Sequence, residues 1–314
     1  MKAILYKDWL SGWLAQREGF VKEATLAGYS TAVANHIVPQ LGGLPVSEVT
    51  EERLQETVLE WLTAGRRDGR GGLSERTVRG LVAIIRMSLK SAARAGYTAP
   101  MPLEIRYPKS DPHERLRVFS QEQQQVLTEY ILQHPTPRRM GVLLCLHTGL
   151  RIGELCALQW KDIDFAERTL TVSRTIQRIY EPHEDGSGET RVIITPPKSR
   201  TSRRTIPLSS MIFPILEEMR VPDPEAYVLT GSRKYTEPRT YRESYDRLLR
   251  ELGLGHITFH GLRHTFATRL IEHGADYKTV SELLGHANVN LTLHLYVHPQ
   301  MEQKRRAVEL MASP

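Results

Sequence analysis

The chain has 314 residues, 40% hydrophobic and 25% charged, which excludes wholesale disorder and exceeds what one core usually spans, so two domains are expected. No stretch approaches the roughly 18 apolar residues of a membrane span, the start from Met1 to Asp8 lacks the apolar core of a secretion signal, and two cysteines, Cys145 and Cys156, make no disulfide framework, so a cytoplasmic protein is expected. Forty-two Lys and Arg against 36 Asp and Glu leave a net charge of +6, a mild tilt toward a polyanionic partner.

The N-terminal third reads as short helices, the first starting before residue 15. Tyr29, Val33 and Ile37 recur at helical spacing until Pro39 and Gly42-Gly43 stop the run. Thr50 is placed to cap a helix bearing Leu54, Val58 and Leu62. The stretch from Gly65 to Gly72 mixes glycine with arginine and suits a loop, either a solvated linker or one that touches phosphates. Ser74 then caps a longer helix with the apolar face Val78, Leu81, Val82, Ile85 and Leu89, ending at Gly96. Pro100, Pro102, Pro108 and Pro112, interleaved with charges, break all periodicity. The expected division is a helical domain over residues 1–107, a linker over 108–114 and a second domain over 115–314.

The second domain mixes element types. A helix from near Ser120 to Gln133 precedes the apolar run Met140 to Leu146. Strand-like patterns follow at Leu170, Val172 and Ile176, at Val192 to Ile194, and at Thr205 to Leu208, with turn chemistry from His183 to Gly188. The expected fold is mostly α with a small antiparallel β-sheet.

Three sets of residues stand out chemically. His256, His260 and His264 are spaced so that one helix face would present all three, the way helical zinc sites are built, but no Glu lies between His260 and His264 and Arg263 adds a cation that opposes a metal. Arg151 and Arg263 each sit in apolar surroundings, where a guanidinium needs an anion. For Arg151 that anion is either Glu154, at i+3, or a phosphate that two such forks would hold together. The turn from Pro196 to Arg204 carries Lys198, Arg200, Arg203 and Arg204 and no carboxylate: a solvated hairpin tip, or one that reaches a nucleic acid backbone. A tyrosine near a C-terminus, such as Tyr296, is ordinarily a packing residue.

These windows occur together and in order, and with them the chain resembles the tyrosine recombinase (phage integrase) family. The resemblance is carried by Thr148-Gly149-Leu150-Arg151-Ile152-Gly153-Glu154-Leu155, Pro197-Lys198-Ser199, His260-Gly261-Leu262-Arg263-His264-Thr265, Leu283-Leu284-Gly285-His286 and Tyr296. Thr25 to Gly42 and Leu73 to Gly96 are similar to the family's helical core-binding domain. The resemblance implies a two-domain form, a SAM-like core-type DNA-binding domain followed by an α+β catalytic domain, without an arm-binding N-terminal module. The chain departs from the family pattern at Asn290, Leu291 and His294.

The resemblance further implies a reaction. Tyr296 would attack a DNA phosphodiester to leave a 3′-phosphotyrosyl link and a free 5′-hydroxyl. Arg151, Arg263 and His286 would meet the charge on the non-bridging oxygens. His260 would move the tyrosine proton, and Lys198 would protonate the leaving 5′-oxygen. The bond energy is kept in the phosphotyrosine, so no cofactor and no metal is expected. The implied partner is double-stranded DNA, held by a homotetramer on two sites, with the helix from Gln303 to Met311 docking on a neighbouring protomer and an accessory directionality protein as a further candidate partner. The expected function is site-specific recombination in the integration or excision of a mobile element. The alternatives are a type IB topoisomerase-like nicking-closing enzyme, a catalytically silent DNA-binding regulator, and a metal-dependent nuclease.

Overall fold

Pro39 does not stop the helix on Tyr29, Val33 and Ile37. In the computed structural model, which describes residues 4–108, 117–182, 188–197, 200–290, 305 and 308–309, the helix widens instead into a π turn, Val33–Ile37, before continuing to Leu41. Proline cannot donate to the carbonyl four residues back and its ring crowds that carbonyl, so a wider turn just ahead of it relieves both problems.

The chain divides into two compact units, Met1–Pro112 with Arg178–Arg191, and His113–Gln177 with Val192–Pro314. In the first, α1 (Tyr6–Ala15), α2 (Glu23–Ala32), α3 (Val38–Leu41), α4 (Glu51–Ala64) and α5 (Glu75–Arg94) enclose a core of Tyr6, Leu10, Trp13, Ile37, Val58 and Trp61 with Val82 and Ile85 of α5. The helix starts follow from their caps: Thr50 accepts from the Arg53 N–H at 3.3 Å and Ser74 from the Thr77 N–H at 3.2 Å. The proline-rich stretch after α5 is not free chain up to residue 107. Leu103, Ile105 and Tyr107 pack against the same core, Gln55 exchanges hydrogen bonds with the backbone of Arg106, and the Arg79 guanidinium lies 3.8 Å over the Tyr107 ring.

The second unit begins with α6 (Gln121–Gln133), opened by a reciprocal Ser120–Gln123 cap, and α7 (Pro137–Thr148), where the apolar run is buried nearly all round. Then come α8 (Ile152–Cys156), β1 (Ile163–Asp164), β2 (Thr169–Val172), β3 (Thr175–Pro182) and β4 (Gly188–Thr195), of which residues 178–191 belong to the first unit, and then β5 (Arg204–Pro207), α9 (Phe213–Met219), α10 (Pro238–Glu251), α11 (Phe259–Glu272) and α12 (Tyr277–Leu284). The strand-like runs form two small sheets rather than one: β1-β2-β5 is antiparallel with Leu170 opposite Ile206 and Val172 opposite Arg204, and β3 pairs with β4. Leu143, Leu144 and Cys145 of α7, Leu170 and Ile206 of the sheet, and Leu262 of α11 share one core. Helix α11 packs on α7 and on α12, and α12 on β5. Among the described residues, no helix is long and apolar enough to cross a membrane.

Candidate active site

Two helix ends and the start of a third helix build the site. The first is the end of α7, where Gly149 is left-handed (φ 64°). A Cβ there would stand 2.6 Å from Cδ1 of Phe266 and 2.9 Å from Cδ2 of Leu284, so only glycine allows this turn against α11 and α12. The turn delivers Arg151 in an extended conformation at the start of α8. Arg151 therefore does not lie inside an apolar helix, as its neighbours suggested; its side chain keeps 37% of its exposure. Its Nη1 donates to Glu154 Oε1 at 2.7 Å and its backbone N–H to Oε2 at 2.9 Å, so the pairing at i+3 is formed.

The second element is α11, whose first turns carry His260, Arg263 and His264. Arg263 is 1% exposed. Its Nη1 donates to the Gly149 carbonyl at 2.7 Å and its Nη2 to the Leu284 carbonyl at 2.5 Å. Those carbonyls end α7 and α12, where the partial negative charge of a helix terminus collects, and this is what receives the buried cation. His256 is not on the helix: it lies in the segment before α11, so the expected three-histidine face is broken. His260 and His264 do meet, edge to face with centroids 4.5 Å apart.

The third element is the end of α12, where Gly285 (φ 64°) turns the chain into His286. Arg151 Nη2 donates to the Gly285 carbonyl at 3.4 Å. Arg151 and Arg263 thus bear on one helix terminus from two other elements, which brings together sequence windows that lie far apart.

Burial, with these cations behind it, sets the protonation of the histidines. Burial, followed by Arg263 and Arg151, pulls His286 down to about 4. Burial, followed by His260 and Arg263, does the same to His264. His260 is lowered by partial burial, then by Arg263 and Arg151. His264 and His286 are therefore neutral at pH 7. Arg151 and His260 also line a cleft of about 450 Å³ with Arg242, Asp246 and His256.

Arg204 differs from the other cations of the basic turn: it opens β5 and is 8% exposed. It grips Glu154 with both terminal nitrogens, Nη2 to Oε2 at 3.0 Å and Nη1 to Oε1 at 3.2 Å, and its Nε donates to the Leu283 carbonyl at 2.6 Å. The signal was the period of two: Ile206 points into the core, so Arg204 does too. Lys198 and Tyr296 lie outside the described residues, as does the helix expected from Gln303 to Met311 apart from residues 305 and 308–309.

Residues 117–303 match the phage integrase family, and residues 5–62 match the phage integrase N-terminal SAM-like domain. The chain is 30% identical over 313 residues to a tyrosine recombinase XerC-like protein of Caldanaerobacter subterraneus subsp. tengcongensis, covering 92% of this chain and 78% of that one. It is 29% identical over 180 residues to the ICEBs1 integrase of Bacillus subtilis, covering 52% of this chain and 46% of that one. Its fold is similar to that of the Tn1549 transposon integrase in complex with transposon right end DNA, with a TM-score of 0.78 at 23% identity over 99% of this chain and all of that one. It is also similar to a lambda integrase dimer bound to a core site, with a TM-score of 0.66 at 17% identity over 94% of this chain and 78% of that one. A SAM-like helical domain followed by a mostly helical catalytic domain with small antiparallel sheets is the shared architecture. The chain belongs to the phage integrase family of tyrosine-type site-specific recombinases.

Proposed function

We propose that this chain breaks and rejoins double-stranded DNA at specific sites through a 3′-phosphotyrosyl intermediate on Tyr296, in the integration or excision of a mobile element. The observation that carries the reading is the junction of α7, α11 and α12, where Arg151 and Arg263 are fixed on one helix terminus beside His260 and His286. Cations fixed in this way need no rearrangement as charge grows on a phosphoryl group. Relatives named for mobile elements, the ICEBs1 and Tn1549 integrases, favour that setting.

Each residue has a role in this reading. Arg151, with its open face, meets a non-bridging oxygen directly. Arg263 holds its charge just beneath, and neutral His286 donates one hydrogen bond. Neutral His260 takes the Tyr296 proton, and Lys198 protonates the departing 5′-oxygen. The helical domain over residues 1–107, joined through a linker over 108–114 to the catalytic domain over 115–314, holds the duplex chiefly by its phosphates. A homotetramer on two DNA sites exchanges strands, the helix from Gln303 to Met311 docks on the neighbouring protomer, an accessory directionality protein sets the outcome, and the work is done in the cytoplasm without cofactor or metal.

The test is Tyr296→Phe on a nicked duplex enriched for binding from a random-sequence pool. The variant is expected to bind like wild type and to give no covalent band on a denaturing gel. A covalent band from the Phe variant would move the nucleophile elsewhere.

A further inference from the structure

The last carbonyls of α12 show an uncommon arrangement. Leu283, Leu284 and Gly285 follow one another, and each carbonyl receives an arginine from a different element: Leu283 from Arg204 of β5, Leu284 from Arg263 of α11, and Gly285 from Arg151 at the start of α8. Helix ends expose carbonyls without intrahelical partners and carry partial negative charge, so one cation here is unremarkable. Three on successive residues fix the direction in which the chain leaves the helix, and the next residue is His286. Arg263 and Arg151 have roles in the reaction proposed above. Arg204 has none there, yet it is held at several points. It is buried, it chelates Glu154 with two nitrogens, and its side chain fills the space under Gly285, where a Cβ would come within 3.0 Å of its Cδ.

We infer that Arg204 is a positioning residue: it shares the Glu154 carboxylate with Arg151 and anchors the end of α12, so that Arg151 and His286 face the same phosphate. The inference rests on the proposed role of Arg151. Glu154 is 4% exposed and is held by two guanidinium groups. With both present, its oxygens are satisfied from the core side by Arg204, and Arg151 has donors to spare for a ligand. Without Arg204, a buried carboxylate faces Arg151 as its remaining ion partner, and a buried charge so exposed draws its partner inward. Arg151 would then be spent on Glu154 instead of on phosphate. The Leu283 carbonyl would lose its donor as well, and the turn carrying His286 would loosen.

A buried ion pair that only stabilises the unit is the competing account, and the two differ in what they do to chemistry. The experiment measures DNA affinity and single-turnover cleavage for wild type, Arg204→Lys, Arg204→Met and Arg151→Ala. The probe is the nicked duplex enriched for binding, made with either a normal phosphate or a methylphosphonate at the cleaved position. The methyl group removes the negative charge that Arg151 meets. A folded Arg204 variant is expected to bind with near wild-type Kd and to cleave the normal duplex about 10- to 100-fold more slowly, the scale of a misplaced reacting group. Its defect should shrink on the methylphosphonate, as should that of Arg151→Ala. Arg204→Lys keeps a cation toward Glu154 and should fold even if the Met variant does not. Wild-type cleavage by Arg151→Ala would overturn the reading of the site itself. A crippled Arg151→Ala beside Arg204 variants that cleave normally would overturn this inference alone. An equal Arg204 defect on both duplexes, or failure of both variants to fold, would make Arg204 a residue of stability only.

Discussion

At Glu154 burial pushes the carboxyl up while Arg204 and then Arg151 pull it down, and the cations win, so it is held as an anion below the usual carboxylate range. At His264 and His286 burial and cations act in the same direction, and both rings fall to about 4. The consequence for stability has a definite sign. An unfolded histidine takes up its proton near pH 6.5, but these two do so only near 4 when folded, so between those values the unfolded chain binds more protons. Their contribution to stability is complete above pH 6.5 and is lost as the pH falls toward 4. The expected result is a Tm that already declines between pH 6.5 and 5.5, above the carboxylate range, with the ring NMR signals of His264 and His286 staying in the neutral position throughout. Titration of either ring near pH 6.5 would contradict the burial and charge described here. Of these residue-level facts, the Arg151–Glu154 pair was legible from helical spacing. Arg204 was not, because the run of cations around it masks its alternation with Ile206.

Helix α7 stops where it does because Gly149 takes a conformation that other residues adopt at a cost, and because Phe266 and Leu284 leave no room for a side chain. Gly149→Ala adds backbone strain of about 1–2 kcal/mol and overpacking of about 1–3 kcal/mol. The expected loss in denaturant unfolding is therefore about 2–5 kcal/mol, accompanied by slower cleavage, because the displaced carbonyl is the one that Arg263 holds. A loss well under 1 kcal/mol would show that the turn is not needed. At this scale the sequence was most informative at helix starts: Thr50, Ser74 and Ser120 all cap where a short polar side chain precedes an apolar period. It was least informative where a local rule met packing. Pro39 bends its helix through a π turn instead of ending it, and the histidine spacing runs off the front of α11 because the helix begins only at Phe259.

For the whole molecule, periodicity divides the helical N-terminal part from a mixed second part, but it says nothing of which loops meet. The convergence of Arg151, Arg263 and His286 depends on the packing of α11 against α7 and α12. The contacts of α11 with α7 join residues more than a hundred positions apart, such as Arg263 to Gly149. No spacing rule reaches that far. The resemblance to the phage integrase family anticipated the grouping because it carries the fold with it, whereas the arginine-to-carbonyl bonds that hold the site together had to be seen. The central claim is a covalent link between Tyr296 and a DNA 3′ end, made without metal. It is tested most directly by incubating the chain with the nicked duplex in excess EDTA, digesting the complex with trypsin and locating the nucleotide adduct by mass spectrometry. The account predicts an adduct on the peptide containing Tyr296, joined through a 3′-phosphate. An adduct on another residue, a 5′ linkage, or cleavage that appears only when magnesium is restored would contradict it.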